Sequence, residues 1–199
     1  IARLARILPS PVMAETKSYT IDDVKIFAEV RPDGSMAVSE TRVYDFDGDY
    51  RFAYRDINLV PDVTKSLGRT TPYQISEIQV CDSTSCYKEL PTGKVNWDNG
   101  RSNPNESFGV RRLKDSAQTV RVQWHFQSYS TTETFTLKYV VNQAITQHQD
   151  VTELYWQWIG SDWVVNQANV RVELELPKGI AGDKIQAWAH GPLNGLVSI

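Results

Sequence analysis

Five stretches of this chain place apolar residues at every second position, broken only by Glu40 and Arg42 in one of them, and that period decides what the chain can fold into. Val24, Ile26, Ala28 and Val30 alternate with Lys25, Phe27 and Glu29. Met36, Val38, Tyr44 and Phe46 share one parity of the next run, and Val120, Val122, Trp124 and Phe126 follow the same rule. So do Phe135, Leu137, Tyr139 and Val141, and then Val170, Val172, Leu174 and Leu176. Successive side chains of a strand point to opposite faces, so this period describes strands with one face on a core. The runs are separated by turn chemistry: RPDGS at 31–35, Asp47-Gly48-Asp49, SYSTTE at 128–133 and Pro177-Lys178-Gly179. The sequence therefore predicts an all-β fold, an antiparallel β-sandwich of immunoglobulin-like or related type, with long loops and little helix.

With 199 residues, the chain is long enough for one large core. Its net charge of −3 and lack of a basic block argue against nucleic acid as a partner, because phosphate binding needs clustered Lys and Arg. Two further strands are expected near Ile185–His190 and Leu196–Ile199, flanking Gly191-Pro192. A short helical piece is expected around Asn142–Ile145. Residues 91–107, rich in Pro, Gly, Asn and Ser, read as a long surface loop.

Residues 1–14 differ from the rest. Val12-Met13-Ala14 fits the small-residue pattern of a signal-peptidase site, so this segment reads as a signal-peptide remnant or an N-terminal arm. The expected organisation is one extracytoplasmic β-sandwich domain over 15–199, cut from a longer protein. No apolar run reaches the length of about 18 residues that a spanning helix needs. Cys81 and Cys86 bracket Asp-Ser-Thr-Ser, a turn that brings paired strands within disulfide reach. A disulfide points to an oxidising compartment.

Among the polar residues, Glu40 has the parity of Met36, Val38, Tyr44 and Phe46, which places a carboxylate on the core face. A buried carboxylate needs a partner. Arg42 and Arg55 are available, and the expected structural ion pair is Glu40–Arg55. Asp45, Asp47 and Asp49 around Gly48 make a weak Ca²⁺ candidate, but no Glu follows at the twelfth position and Asp-Gly reads first as a tight hairpin turn. His125, His148 and His190 lack ligand spacing, His125 falls on an outward parity, and no Gly-x-Ser-x-Gly occurs. No metal, cofactor or catalytic residue is expected.

The stretch ELYWQWIGSDW, Glu153–Trp163, holds four rings. As a strand over 153–159 it would put Leu154, Trp156 and Trp158 on one face and Tyr155, Gln157 and Ile159 on the other, buried on both sides. Trp97, Trp163 and Trp188 are left as possible ligand contacts.

Three words of the sequence carry a resemblance. They are DGSMAVSET (Asp33–Thr41) with YDFDGDYRFAYRDI (Tyr44–Ile57), ELYWQWIGSDW with NVRVELELP (Asn169–Pro177), and AWAHGPLNG (Ala187–Gly195). In that order the chain resembles the domain of unknown function 2207 family (DUF2207), bacterial and archaeal membrane proteins. The resemblance implies an extracytoplasmic N-terminal domain behind a signal peptide, with transmembrane helices and a further segment as partners in the same longer chain. It carries no activity and no catalytic residue. The expected function is a non-enzymatic interaction or sensing domain that meets an envelope protein or its own chain. A module that binds cell-envelope glycan is the alternative, and a hydrolase is the least favoured reading.

Overall fold

A computed structural model describes residues 17–115, 117–160, 163–191 and 195–199. The expected leader or arm at 1–14, Ser161 and Asp162 of the aromatic stretch, and residues 192–194 of the last turn lie outside the described residues. The architecture is all-β. Eleven strands are described: β1 Ser18–Val30, β2 Met36–Asp47, β3 Asp49–Ile57, β4 Gln74–Cys81, β5 Lys88–Glu89, β6 Ser107–Arg112, β7 Val120–Tyr129, β8 Thr132–Asn142, β9 Ile145–Gln147, β10 Thr152–Leu154 and β11 Val170–Glu175. They form a five-stranded sheet β11-β1-β2-β8-β4, a four-stranded sheet β3-β7-β6-β5 and a small β10-β9 ribbon. The two larger sheets pack as a sandwich around one core.

The alternation seen in the sequence builds this core. Val24, Ile26, Ala28 and Val30 of β1 are buried, as are Met36, Val38, Tyr44 and Phe46 of β2. Val122, Trp124 and Phe126 of β7 meet Phe135, Leu137 and Tyr139 of β8 in the same cluster. The Phe126 and Phe135 rings lie 4.7 Å apart. Each such side chain contributes about 1.5–3 kcal/mol when fully removed from water.

Most pairings are antiparallel, but β1–β11 and β5–β6 are parallel. The β1–β2 hairpin turns at 31–35, where Gly34 takes a φ of +80° and its N–H bonds the Arg31 carbonyl. The turn at Gly48 does something else. β2 belongs to the five-stranded sheet and β3 to the four-stranded one, so Asp47-Gly48-Asp49 is a crossing between layers and not the hairpin the sequence suggested. The β7–β8 connection crosses back beside it. The Gly48 N–H bonds Ser130 Oγ at 2.9 Å, and the Ser130 N–H bonds the Gly48 carbonyl at 3.1 Å. Gly48 has a φ of +104°, and a Cβ there would stand 3.0 Å from Lys17 Cγ. Only glycine takes this conformation without strain.

Other expectations are corrected. The stretch 142–145 closes β8 and opens β9, with no helix. Residues 185–190 and 195–199 are not strands. The aromatic strand ends at Leu154, and residues 155–160 run on as irregular chain. β11 has the core pattern but is exposed throughout. Val170 pairs in register with Val24 and so points to the inner face, yet Val170, Val172 and Leu174 are 44, 37 and 42 % exposed. β11 is the end strand of the wider sheet and overhangs the narrower one. Residues 91–107 are a loop with two short 3-10 turns, but it folds onto the molecule and buries Val95, Gly100 and Asn103.

Candidate functional site

The inward carboxylate of β2 organises the site. Glu40 is 1 % exposed and accepts from Arg42 Nη1 at 2.6 Å, Arg55 Nε at 3.2 Å and the Tyr139 hydroxyl at 2.5 Å. The predicted partner Arg55 is present, and Arg42 is the closer of the two. Burial pushes the Glu40 carboxyl up, but the two guanidiniums and the Tyr139 hydroxyl outweigh it and hold it at about 2. Burial works against the charged form of Arg55 as well, and the Glu40 charge reverses that and raises it.

Arg55 carries this network outward. Its Nη2 donates to the Trp158 carbonyl at 3.0 Å, and its Nη1 donates to the Asp56 carbonyl. The backbone of 155–160 is thus drawn onto the buried arginine instead of extending β10. A Cβ on Gly160 would stand 3.0 Å from Arg55 Nη1, so glycine permits the approach. The tryptophans of the aromatic stretch settle on the same cluster. Trp156 is buried against Tyr73 and Tyr139, with centroids 5.2 and 6.2 Å away. Trp158 is half-buried against the core, and Arg42 lies over the Trp163 ring at 5.1 Å. The sequence words around Glu40 and Arg55 therefore meet the one around Trp158, more than a hundred residues further along the chain.

Above this cluster lies a cleft of about 360 Å³. Its floor is Tyr44 and Phe46 of β2, its long wall is β3 from Asp49 to Asp56, and Tyr19 and Trp163 close the sides. The rings form a continuous surface: Phe46 stacks on Tyr50 at 4.5 Å and on Tyr44 at 5.4 Å, and Tyr19 meets Tyr50 edge-on at 5.9 Å. A bulge between Tyr50 and Phe52 in the β3–β7 register turns both Tyr50 and Ala53 toward it. Tyr44 is 2 % exposed, and among the described residues its hydroxyl has no hydrogen-bond partner. Burial, partly offset by Arg42, raises that phenol well above its ordinary value, so it stays protonated.

The acids of the cleft are occupied. Asp49 accepts from Arg51 Nε at 2.8 Å and Arg101 Nη1 at 2.7 Å, and the Arg101 hydrogen bond is the main cause that lowers its carboxyl. Asp56 accepts from Arg121 through both oxygens, at 2.8 and 2.6 Å. Asp45 and Asp47 bond instead to Thr132 and Ser130 hydroxyls, at 3.3 and 3.4 Å. The three aspartates do not converge, and among the described residues no group of acids, His or Cys could hold a metal.

His125 corrects another expectation. It is 0 % exposed, because the 91–107 loop covers the face that parity assigns to solvent. Its Nε2 meets the Asn103 and Gln123 amides at 2.9 and 3.2 Å, and its Nδ1 meets Ser107 Oγ at 3.0 Å. The Ser107 hydroxyl donates to the Pro104 carbonyl at 2.5 Å. Nδ1 is therefore the protonated nitrogen, and Nε2 accepts. Burial lowers the imidazole's affinity for a second proton. Ser107 and His125 look like a catalytic pair only on paper, since both are sealed from solvent and hold the loop.

Of the three tryptophans left open by the sequence, only Trp163 lines the cleft. Trp97 is half-buried with Arg111 over its ring at 4.5 Å, and Trp188 is 77 % exposed. Cys81 and Cys86 form a disulfide across an antiparallel bridge, with Cα atoms 3.9 Å apart. The turn between them is held by Asp82, whose Oδ1 accepts from the Thr84 and Ser85 N–H groups at 2.7 and 2.8 Å. Among the described residues no helix is long and apolar enough to cross a membrane. The cleft was the feature that sequence reasoning missed; its signal was the density of rings in YDFDGDYRFAY, read there as strand and turn only. Compared with curated proteins, the chain matches none. A family model described as predicted membrane protein (DUF2207), N-terminal domain, matches residues 20–198.

Proposed function

Because the chain belongs to the DUF2207 family of predicted membrane proteins, we propose that it is an extracytoplasmic, non-enzymatic binding domain whose ligand enters the aromatic cleft beside β3. Segments of the same longer chain hold it at the membrane. The observation that carries the reading is the open cleft itself, about 360 Å³ in volume and lined by the rings of Tyr19, Tyr44, Phe46, Tyr50 and Trp163. Ligand sites are concave, mostly apolar and equipped with a few polar groups, and this cleft has that character.

The chemistry of the lining supports binding over catalysis. Arginines hold Glu40, beneath the cleft, and Asp49, in its wall, below the ordinary carboxylate range, so neither is poised as a general acid near neutral pH, and both oxygens of Asp56 are taken by Arg121. The Cys81–Cys86 disulfide supports an oxidising compartment. A glycan stacked on Tyr19, Tyr50 and Trp163 is the second reading, favoured by the ring surface itself. Ala53→Trp, which fills the cleft, is the test of both. Native membranes carrying the full chain are incubated with envelope glycan fragments and with peptides, and retention is measured. The reading expects at least one class to be retained and Ala53→Trp to abolish it. Retention that is unchanged by Ala53→Trp overturns the cleft as the site.

A further inference from the structure

We infer that the occupant of the cleft is an extended peptide segment that adds a strand to the free edge of β3 and places a carboxylate at the Asp49 end. This rests on the reading of the cleft as the binding site and names its ligand class. β3 is the end strand of the four-stranded sheet, paired with β7 on one side; among the described residues no strand pairs with its other edge. The cleft runs along that edge, lined by every residue from Asp49 to Asp56. An edge strand presents a row of unpaired N–H and C=O groups. A sugar can stack on the rings, but a peptide backbone meets both the rings and the row between the Asp49 and Asp56 carbonyls, which Lys17, Arg101 and Arg55 already bond.

Charge gives the occupant a direction. At the Asp49 end three cations outnumber two carboxylates, Asp49 and nearby Asp47: Arg51 and Arg101 bond the Asp49 oxygens, and Lys17 donates to its backbone carbonyl. The end therefore keeps an excess of positive charge on a chain whose net charge is −3. At the far end Asp56 is matched by Arg121, and the one excess charge of Arg42 and Arg55 around Glu40 is buried beneath the cleft. A peptide with an acidic residue at the first end and uncharged residues along the rest is the complement. Between the ends the small side chain of Ala53 leaves room beside the rings of Tyr50 and Tyr44 for one apolar side chain.

The test pans a phage-displayed random dodecapeptide library on the domain. The leading sequence is then made as a fluorescent synthetic peptide, and chito-oligosaccharide is run beside it. The expected sequences place an acidic residue next to alternating apolar residues. Methylating alternate backbone nitrogens of the peptide should weaken binding at least about tenfold, because ladder donors are lost. Arg101→Glu should weaken it at least about tenfold, and replacing the peptide's acid by Lys should recover it. Binding should slow amide exchange within β3. Equal affinity for the methylated peptide, or protection elsewhere with none at β3, overturns strand addition. Chito-oligosaccharide binding that Ala53→Trp abolishes, with no peptide enriched, overturns the peptide but leaves the cleft reading standing. Peptide binding indifferent to both Arg101→Glu and Ala53→Trp overturns both.

Discussion

Glu40→Gln is the substitution with the most to say about this molecule. It keeps the shape of the side chain and removes its charge. Glu40, Arg42 and Arg55 are all nearly inaccessible, at 1, 3 and 3 % exposure, so two guanidiniums would remain buried against a neutral amide. Breaking a buried pair from one side costs about 3–5 kcal/mol. The electrostatics point the same way. The carboxyl is held at about 2 against an ordinary 4.5, which corresponds to about 3 kcal/mol of stability. Because the folded-state value is the lower one, that contribution is complete above about pH 4.5 and is lost as pH falls toward 2. Urea unfolding followed by tryptophan fluorescence at neutral pH should therefore show Glu40→Gln less stable by about 3 kcal/mol. The difference from the unmodified protein should shrink across the acid window. Tyr139→Phe removes one hydrogen bond to the charge and should cost less, about 1.5–3 kcal/mol. A loss below about 1 kcal/mol for Glu40→Gln, or one that does not shrink in acid, would refute the argument.

Three further outcomes follow from the geometry. Gly48→Ala places a Cβ at a φ of +104° and against Lys17, so it should lower stability by about 1 kcal/mol or more, while Lys114→Ala on an exposed loop stays within about 0.5 kcal/mol. Burial depresses His125 below its ordinary 6.5, so the folded state resists protonation and stability should begin to fall as pH drops below 6.5; in His125→Asn that first step should be missing from the pH–stability curve. Thiol alkylation without reductant should leave both cysteines of the native protein unmodified, and reducing the Cys81–Cys86 bond should cost about 2 kcal/mol, as suits a short loop.

The legible part of the fold was its alternation. β1, β2, β7 and β8 bury the residues their period nominates, and Glu40 stood out because a charge occupied that parity. What parity cannot register is the third dimension beyond one strand. Asp47-Gly48-Asp49 has the same local chemistry whether the chain folds back in one sheet or passes to the other. Val170, Val172 and Leu174 have a core pattern, but their burial depends on how wide the opposite sheet is. His125 reads as outward until a loop some twenty residues earlier is known to lie over it. In ELYWQWI the alternation suggested a strand, but the Trp158 carbonyl goes to Arg55, a partner invisible to local reading. The cleft combines all of these: it exists because β2 crosses layers at Gly48 and leaves β3 at an open edge, with the rings of both strands turned toward the gap.

The claim that the β3 cleft is where this domain meets its ligand is tested most directly by site-specific photo-crosslinking of the full chain in its native membrane. A photoreactive residue in place of Arg51 at the mouth of the cleft is compared with one in place of Lys138, exposed on the opposite face of the molecule. The account predicts an adduct from position 51, absent at 138 and abolished by Ala53→Trp. Equal adducts from both positions, or an adduct at 51 that survives the filled cleft, would contradict it.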